Sequence, residues 1–126
     1  VMEMVYLAVG CGGVIGAVFR FLLDGLISRT ALPLSSGILF VNMIGCFIIG
    51  FTLSLNPNRF SSLFKLGFVT GFLGSFTTFS SFSVKTIELF LKWGIQPSIV
   101  YLALTIIAGY GSVKIGRVIA LKIEKG

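Results

Sequence analysis

Hydrophobic positions along this chain fall into four long blocks, each bounded by isolated charges. Residues 4–19 carry no charge, and the block extends through Arg20 to residue 23. Nothing is charged between Arg29 and Arg59, with residues 37–55 the most apolar part; Lys65 and Lys85 bound a third block, Lys92 and Lys114 a fourth. A helix must present about 20 mostly apolar residues to cross the hydrocarbon core of a bilayer. The blocks therefore predict an all-α membrane protein, a single four-helix transmembrane domain over residues 1–126 with spans at about 4–23, 36–55, 63–91 and 97–120. The first block is expected to be a span and not a cleavable signal, because it lacks a positive leading region and continues through Arg20.

Turn chemistry separates the blocks. The segment after Asp24 holds Pro33 and paired serines, Asn56-Pro57-Asn58 is a turn sequence, and Gly94 and Pro97 follow Trp93, a residue suited to a membrane interface. Short links make neighbouring helices antiparallel and put both termini on one side. That side collects Arg59, Lys65, Arg117, Lys122 and Lys125 against Arg29, Lys85 and Lys92 on the other. The bias leans toward cytoplasmic termini, and insertion in both orientations fits as well.

Composition sharpens the membrane reading. Charged residues make up 11% of the 126 residues and hydrophobic ones 56%, whereas a soluble domain averages roughly 25% charged. So few charges do not cover a soluble surface. The net charge of +6 comes from single, scattered cations and a basic C-terminal end. No basic helix with interleaved aromatics accompanies it, so anionic lipid explains it better than nucleic acid. Cys11 and Cys46 sit inside apolar blocks without metal-like spacing and read as small hydrophobes; histidine, the usual proton shuttle near neutral pH, is absent. Gly12 and Gly16, Gly67 and Gly71, and Gly109 and Gly111 mark places for close helix approach. Tight packing of four short helices leaves little room for a pore within one subunit, so a conduction path is expected between subunits.

The chemistry concentrates in residues 71–83, GFLGSFTTFSSFS. Ser75, Thr77, Thr78, Ser80, Ser81 and Ser83 are six hydroxyls in nine residues, with Phe76, Phe79 and Phe82 at every third position among them and Gly71 and Gly74 before them. One or two hydroxyls in a span bond back to their own helix. Six beside two glycines predict a third helix broken in mid-membrane, whose freed backbone groups must line a cavity or meet another polar group. Such a segment offers carbonyl oxygens to a cation and hydroxyl or amide hydrogens to an anion. Phenylalanine ring edges are positive and attract anions, although a Phe stripe is more often core packing. Asn42 lies in the middle of the second span, where an unpaired amide is costly; it reads either as a donor in a pathway or as a bond between helices. Arg20, inside the first span, either snorkels to the interface or draws anions to a vestibule. Glu3, Asp24, Glu88 and Glu124 all lie near edges or ends, which argues against proton coupling and against an acid-lined cation pore.

Together these motifs resemble the Fluc (CrcB) family of bacterial fluoride channels. Gly12-Gly13 with Gly16 and Arg20 is similar to its first-helix pattern, residues 37–50 around Val41-Asn42 and Gly45 to its second, and residues 71–82 to its third-helix signature. The resemblance implies a fluoride-selective ion channel, not an enzyme, in the cell membrane. It implies a homodimer (or a pair of closely related subunits) of antiparallel, dual-topology chains, exporting fluoride passively through two pathways at the subunit interface. It assigns Asn42, Phe79, Phe82, Ser80, Ser81 and Ser112 to the fluoride pathway, with Arg20 at the vestibule. It also implies a structural sodium ion shared between subunits and held by the backbone carbonyls of Gly74 and Thr77. This chain departs from the pattern at Lys85, where many relatives carry glutamate, at Lys114, and at Gly116 in place of a frequent threonine. Two rivals share the four-helix length: a small multidrug exporter, which needs a carboxylate embedded in its first span, and a non-transporting assembly subunit, in which Asn42 and the hydroxyls only join helices.

Overall fold

Long runs of Leu, Ile, Val, Phe and Ala without interior proline close into helices, and every backbone group inside a bilayer must be satisfied in that way. In the computed structural model, which describes residues 1–29 and 36–126, α1 runs Met2–Ser28 and α2 runs Ser36–Ser54. At 1.5 Å per residue α1 is about 40 Å long, enough to span the hydrocarbon and its interfaces. The expected turn around Pro33 lies outside the described residues. After α2 the Asn56 side chain accepts from the Asn58 N–H at 2.9 Å, and the Arg59 N–H bonds the Asn56 carbonyl at 3.0 Å, so the Asn-Pro-Asn sequence does turn the chain.

The third span is assembled from pieces. Ser61 caps α3, Ser62–Lys65, by accepting the Phe64 N–H at 3.1 Å. A π-helical stretch, Leu66–Leu73, and the short α4, Gly74–Phe76, continue it. Phe60, Phe64, Phe68, Phe72 and Phe76 stack along this stretch with centroids 5.0–5.8 Å apart. The chain then extends at Thr77 and Thr78 before α5, Phe79–Trp93. Gly94, at φ 96°, turns the chain into α6, Ile95–Lys125. Pro97 falls in the first turn of α6, where a missing N–H removes no helical bond. The described residues thus form an all-helical protein of four helices. Three of them, over Met2–Ile27, Gly37–Ser54 and Ile95–Lys125, are long and apolar enough to cross a membrane. The third in chain order is bent.

Two glycine-mediated contacts organise the packing. α1 lies on the π-helical stretch so closely that a Cβ on Gly71 would stand 2.5 Å from the Val9 carbonyl oxygen, and one on Gly12 would stand 2.9 Å from the Phe72 nitrogen. α2 meets α6 in the same way, at Gly116 against the Phe51 nitrogen (2.8 Å) and at Gly50 against Val113. Such backbone approach gives dispersion contact where lipid offers no hydrophobic drive. The expectation for Gly109 and Gly111 is corrected here. Nothing lies within 4 Å of a Cβ on Gly111, and Gly109 would meet only the Cys46 sulfur, at 3.5 Å. Gly111 lies about 140° around the helix from Gly116, facing away from α2. Between the two contacts, Val41, Leu73 and Tyr101 are fully buried, whereas the outer faces of α1 and α6 expose Leu, Ile, Val and Phe side chains, as lipid-facing helices do.

Candidate ion pathway at the broken third span

The break follows from competition for backbone groups. In a continuous helix the Thr78 N–H would bond the Gly74 carbonyl, and the Ser81 N–H the Thr77 carbonyl. Instead the Thr78 N–H donates to Asn42 Oδ1 at 2.9 Å, and the Ser81 N–H donates to Thr78 Oγ1 at 3.1 Å. Asn42 Nδ2 returns a bond to the Thr78 carbonyl at 3.0 Å. One amide side chain thereby takes the Thr78 N–H out of the helix, adds a second donor to its carbonyl and holds the residue extended, at φ −146° and ψ 123°. Thr78 then serves as N-cap of α5. Gly74 was expected to supply the irregular backbone. It is helical, at φ −62° and ψ −33°, and the break falls three residues later, where the hydroxyls and Asn42 compete with the helix.

The helix before the break is tied from the other side. Arg20 Nε donates to the Ser75 carbonyl at 3.2 Å, and Ser75 Oγ donates to the Gly13 carbonyl at 2.7 Å. This bond gives Arg20 a partner just before the break, which neither sequence alternative anticipated. Thr77 Oγ1 bonds back to the Leu73 carbonyl at 2.9 Å, the ordinary behaviour of a hydroxyl in a span.

On the side of Asn42 lies an open cavity of about 470 Å³, lined by Asn42, Thr77, Thr78, Phe79, Phe82 and Thr105, with apolar residues of α2 and α6 around them. The Phe79 and Phe82 rings stand 5.7 Å apart at 51°. Phe82 is 8% exposed and stacks on Tyr101 at 5.8 Å, whereas Phe79 is 79% exposed. The structure therefore gathers Asn42, Thr77, Phe79 and Phe82 on one cavity. Ser80 and Ser81 open onto a neighbouring pocket, joined to the first through a 3.2 Å hydrogen bond between the Thr78 and Ser80 hydroxyls. Ser112 is buried on α6 and does not line either cavity.

Two residues were missed in the sequence. Tyr101 is fully buried beside Phe82, and its hydroxyl has no hydrogen-bond partner among the described residues; such a donor is costly to leave unmet. Thr105 lines the cavity one turn on, its hydroxyl bonded to the Tyr101 carbonyl at 2.8 Å. Their four-residue spacing within an apolar span was the available signal.

The profile of one family, described as CrcB-like protein, Camphor Resistance (CrcB), matches residues 7–117. The chain belongs to the CrcB family. Among relatives, it is similar to the fluoride-specific ion channel FluC of Azobacteroides pseudotrichonymphae genomovar. CFP2, 40% identical over 116 residues that cover 88% of this chain and 91% of that protein. A fluoride-specific ion channel FluC 2 of Listeria innocua is 38% identical over 116 residues, 90% of this chain and 88% of its own. The FluC of Helicobacter pylori is 38% identical over 123 residues, 94% and 95% of the two chains. The CrcB match runs from the second turn of α1 into the last part of α6, so the break, the cavity and both glycine contacts all lie within it.

Proposed function

We infer that this CrcB chain is a subunit of a fluoride-specific, multi-pass membrane channel that lets cytoplasmic fluoride leave passively. The observation that carries the reading is near full-length similarity to fluoride-specific channels. Hydrogen fluoride enters a cell as a neutral molecule and dissociates inside. A negative-inside potential then drives the anion out with about 2.3 kcal/mol per 100 mV. No carboxylate is needed, and among the described residues none lines this cavity; Glu88 lines the neighbouring pocket. A proton-coupled multidrug exporter needs a carboxylate embedded in its first span, and the acids of α1, Glu3 and Asp24, lie near its ends.

In this reading the four helices form one transmembrane unit spanning near residues 4–23, 36–55, 63–91 and 97–120. Two such units pair antiparallel, in dual topology, as a homodimer. An open cavity beside an exposed Phe79 supports a pathway completed by the second copy. Along it Asn42 presents the amide hydrogen not used on Thr78, Phe79 and Phe82 present positive ring edges, and Ser80 and Ser81 offer hydroxyls, with the buried Ser112 beyond the two cavities. Arg20 raises the local anion concentration at the vestibule. The Gly74 and Thr77 carbonyls, whose helical donors go to side chains instead, suit a small hard cation, and sodium is the ion proposed there. Among the described residues no three His, Cys, Asp or Glu side chains gather, so carbonyl oxygens are the ligands on offer. Bound sodium would take up the free lone pairs of those carbonyls and, with ligands from both subunits, would stabilise the dimer.

Efflux from liposomes tests the reading. With voltage clamped by a potassium ionophore, reconstituted protein should release fluoride rapidly and chloride far more slowly. Equal chloride efflux would refute the selectivity, and no efflux of either would return the chain to the assembly-subunit reading.

A further inference from the structure

A second pocket, of about 240 Å³, adjoins the pathway and is lined by Ile38, Ser80, Ser81, Val84, Lys85 and Glu88. Lys85 lies one turn beyond Ser81 on the same face of α5. Its ammonium is paired with Glu88 Oε2 at 3.2 Å. The two charges are not equivalent, because the Lys85 side chain is 29% exposed and that of Glu88 is 59% exposed. Lysine is the more buried member, in the pocket that Ser80 and Ser81 also line, and glutamate the more exposed one. The first turn of α5 adds the positive end of its dipole to the same pocket. From this pocket the Ser80–Thr78 hydroxyl bond leads to Asn42.

We propose that the Lys85 pocket is an anion-recruiting site at the mouth of the pathway, with Glu88 as its counter-charge. The proposal rests on the fluoride-channel reading. Its ligand is a small, hard anion, accepted by an ammonium and two hydroxyl donors before it passes inward. Glu88 tempers the site: it competes for the ammonium and repels anions at the rim. The pair therefore sets capture at low fluoride, and the inner pathway sets the limiting rate.

A brace and a recruiting site make opposite forecasts for the two halves of the pair. If the salt bridge only braces α5, Lys85→Gln and Glu88→Gln each break it and act in the same direction. If the site recruits anions, Lys85→Gln slows fluoride efflux and Glu88→Gln speeds it. A unit charge about 6 Å from the anion, in surroundings close to water, changes local occupancy about 3-fold. Initial efflux from liposomes at sub-saturating fluoride and low ionic strength should fall about 3-fold in Lys85→Gln. It should rise by a similar factor in Glu88→Gln, and Lys85→Arg, which keeps the cation, should regain most of what Lys85→Gln loses. Both differences should vanish at saturating fluoride, and in salt near 1 M, where screening acts over about 3 Å. Equal slowing by both Gln variants, or a salt-independent difference, overturns the proposal while fluoride conduction by the parent stands. A parent protein that passes no fluoride overturns the channel reading itself, and this proposal with it.

Discussion

Asn42 can be removed from the break in two chemically different ways, and the results should diverge. Asn42→Ala deletes both bonds to Thr78, at 2.9 and 3.0 Å. The first leaves the half-buried Thr78 N–H unmet, at about 1–3 kcal/mol, whereas the Thr78 carbonyl, as N-cap of α5, keeps its helical donor. A net loss of about 2 kcal/mol follows, which is about a 30-fold shift away from the ordered break. Asn42→Asp keeps the acceptor for the Thr78 N–H but sets a carboxylate against the Thr78 carbonyl and beside the passing anion. At about 4 Å and an effective dielectric near 20, that repulsion is about 4 kcal/mol, near 1,000-fold in rate. Protonation of the introduced carboxyl restores a donor toward Thr78 and removes the charge. Fluoride efflux from liposomes, corrected for protein-free vesicles, should be low for both variants near neutral pH. It should recover partly in acidic buffer for Asn42→Asp alone. Thermal unfolding in detergent should show the larger loss for Asn42→Ala. Parent-like efflux and stability in Asn42→Ala would mean that Asn42 neither holds the break nor meets the ion.

Phe82→Ile removes the ring edge and the stack on Tyr101, so strongly reduced efflux should come with a stability loss of about 1 kcal/mol. Phe79→Ile, at an exposed position, should reduce efflux with monomer stability unchanged, and parent-like efflux in both would make the rings packing alone. Gly71→Ala puts a Cβ against the Val9 backbone and should destabilise by about 1–3 kcal/mol, whereas Gly111→Ala meets nothing and should fall within about 0.5 kcal/mol of the parent in thermal unfolding. Replacing sodium with a bulky organic cation should weaken the dimer or its efflux by mass action; a dimer and efflux independent of every small cation would remove the Gly74 and Thr77 assignment.

Charge-free blocks made the helical membrane class legible, because a bilayer leaves the backbone few other choices. The break was legible in kind, and in place to within the stretch from Gly74 to Thr77, of which only Thr77 leaves the helix. Clustered hydroxyls announced competition with the helix, yet which residue leaves it depends on Asn42 reaching Thr78 across 36 positions, and pattern within one segment cannot register that partner. For the same reason Asn42 was equally readable as donor or tether. It is bonded to another helix, with one amide hydrogen left over. Gly116 had been noted only as a missing threonine, and its contact with α2 emerges from the facing geometry of two helices. Tyr101 was passed over because a tyrosine in a span reads as an interfacial residue until its ring is found stacked on Phe82.

The phenylalanine ladder has a mechanical consequence. From Phe64 to Phe76 the stacked rings lie within 10° of parallel, because wider π-helical turns bring each fourth residue nearly into line. Bending this half of the span would require unstacking several aromatic pairs at once, so the half behaves as a stiff rod. Arg20 and Ser75 pin the rod near its inner end, and Asn42 latches the chain just past it. Compliance is thus confined to the two residues between rod and α5. A passage for an ion as small as fluoride tolerates little play, and a rigid strut ending in a latched joint is one way for soft, thermally agitated helices to hold a tolerance finer than their own fluctuations.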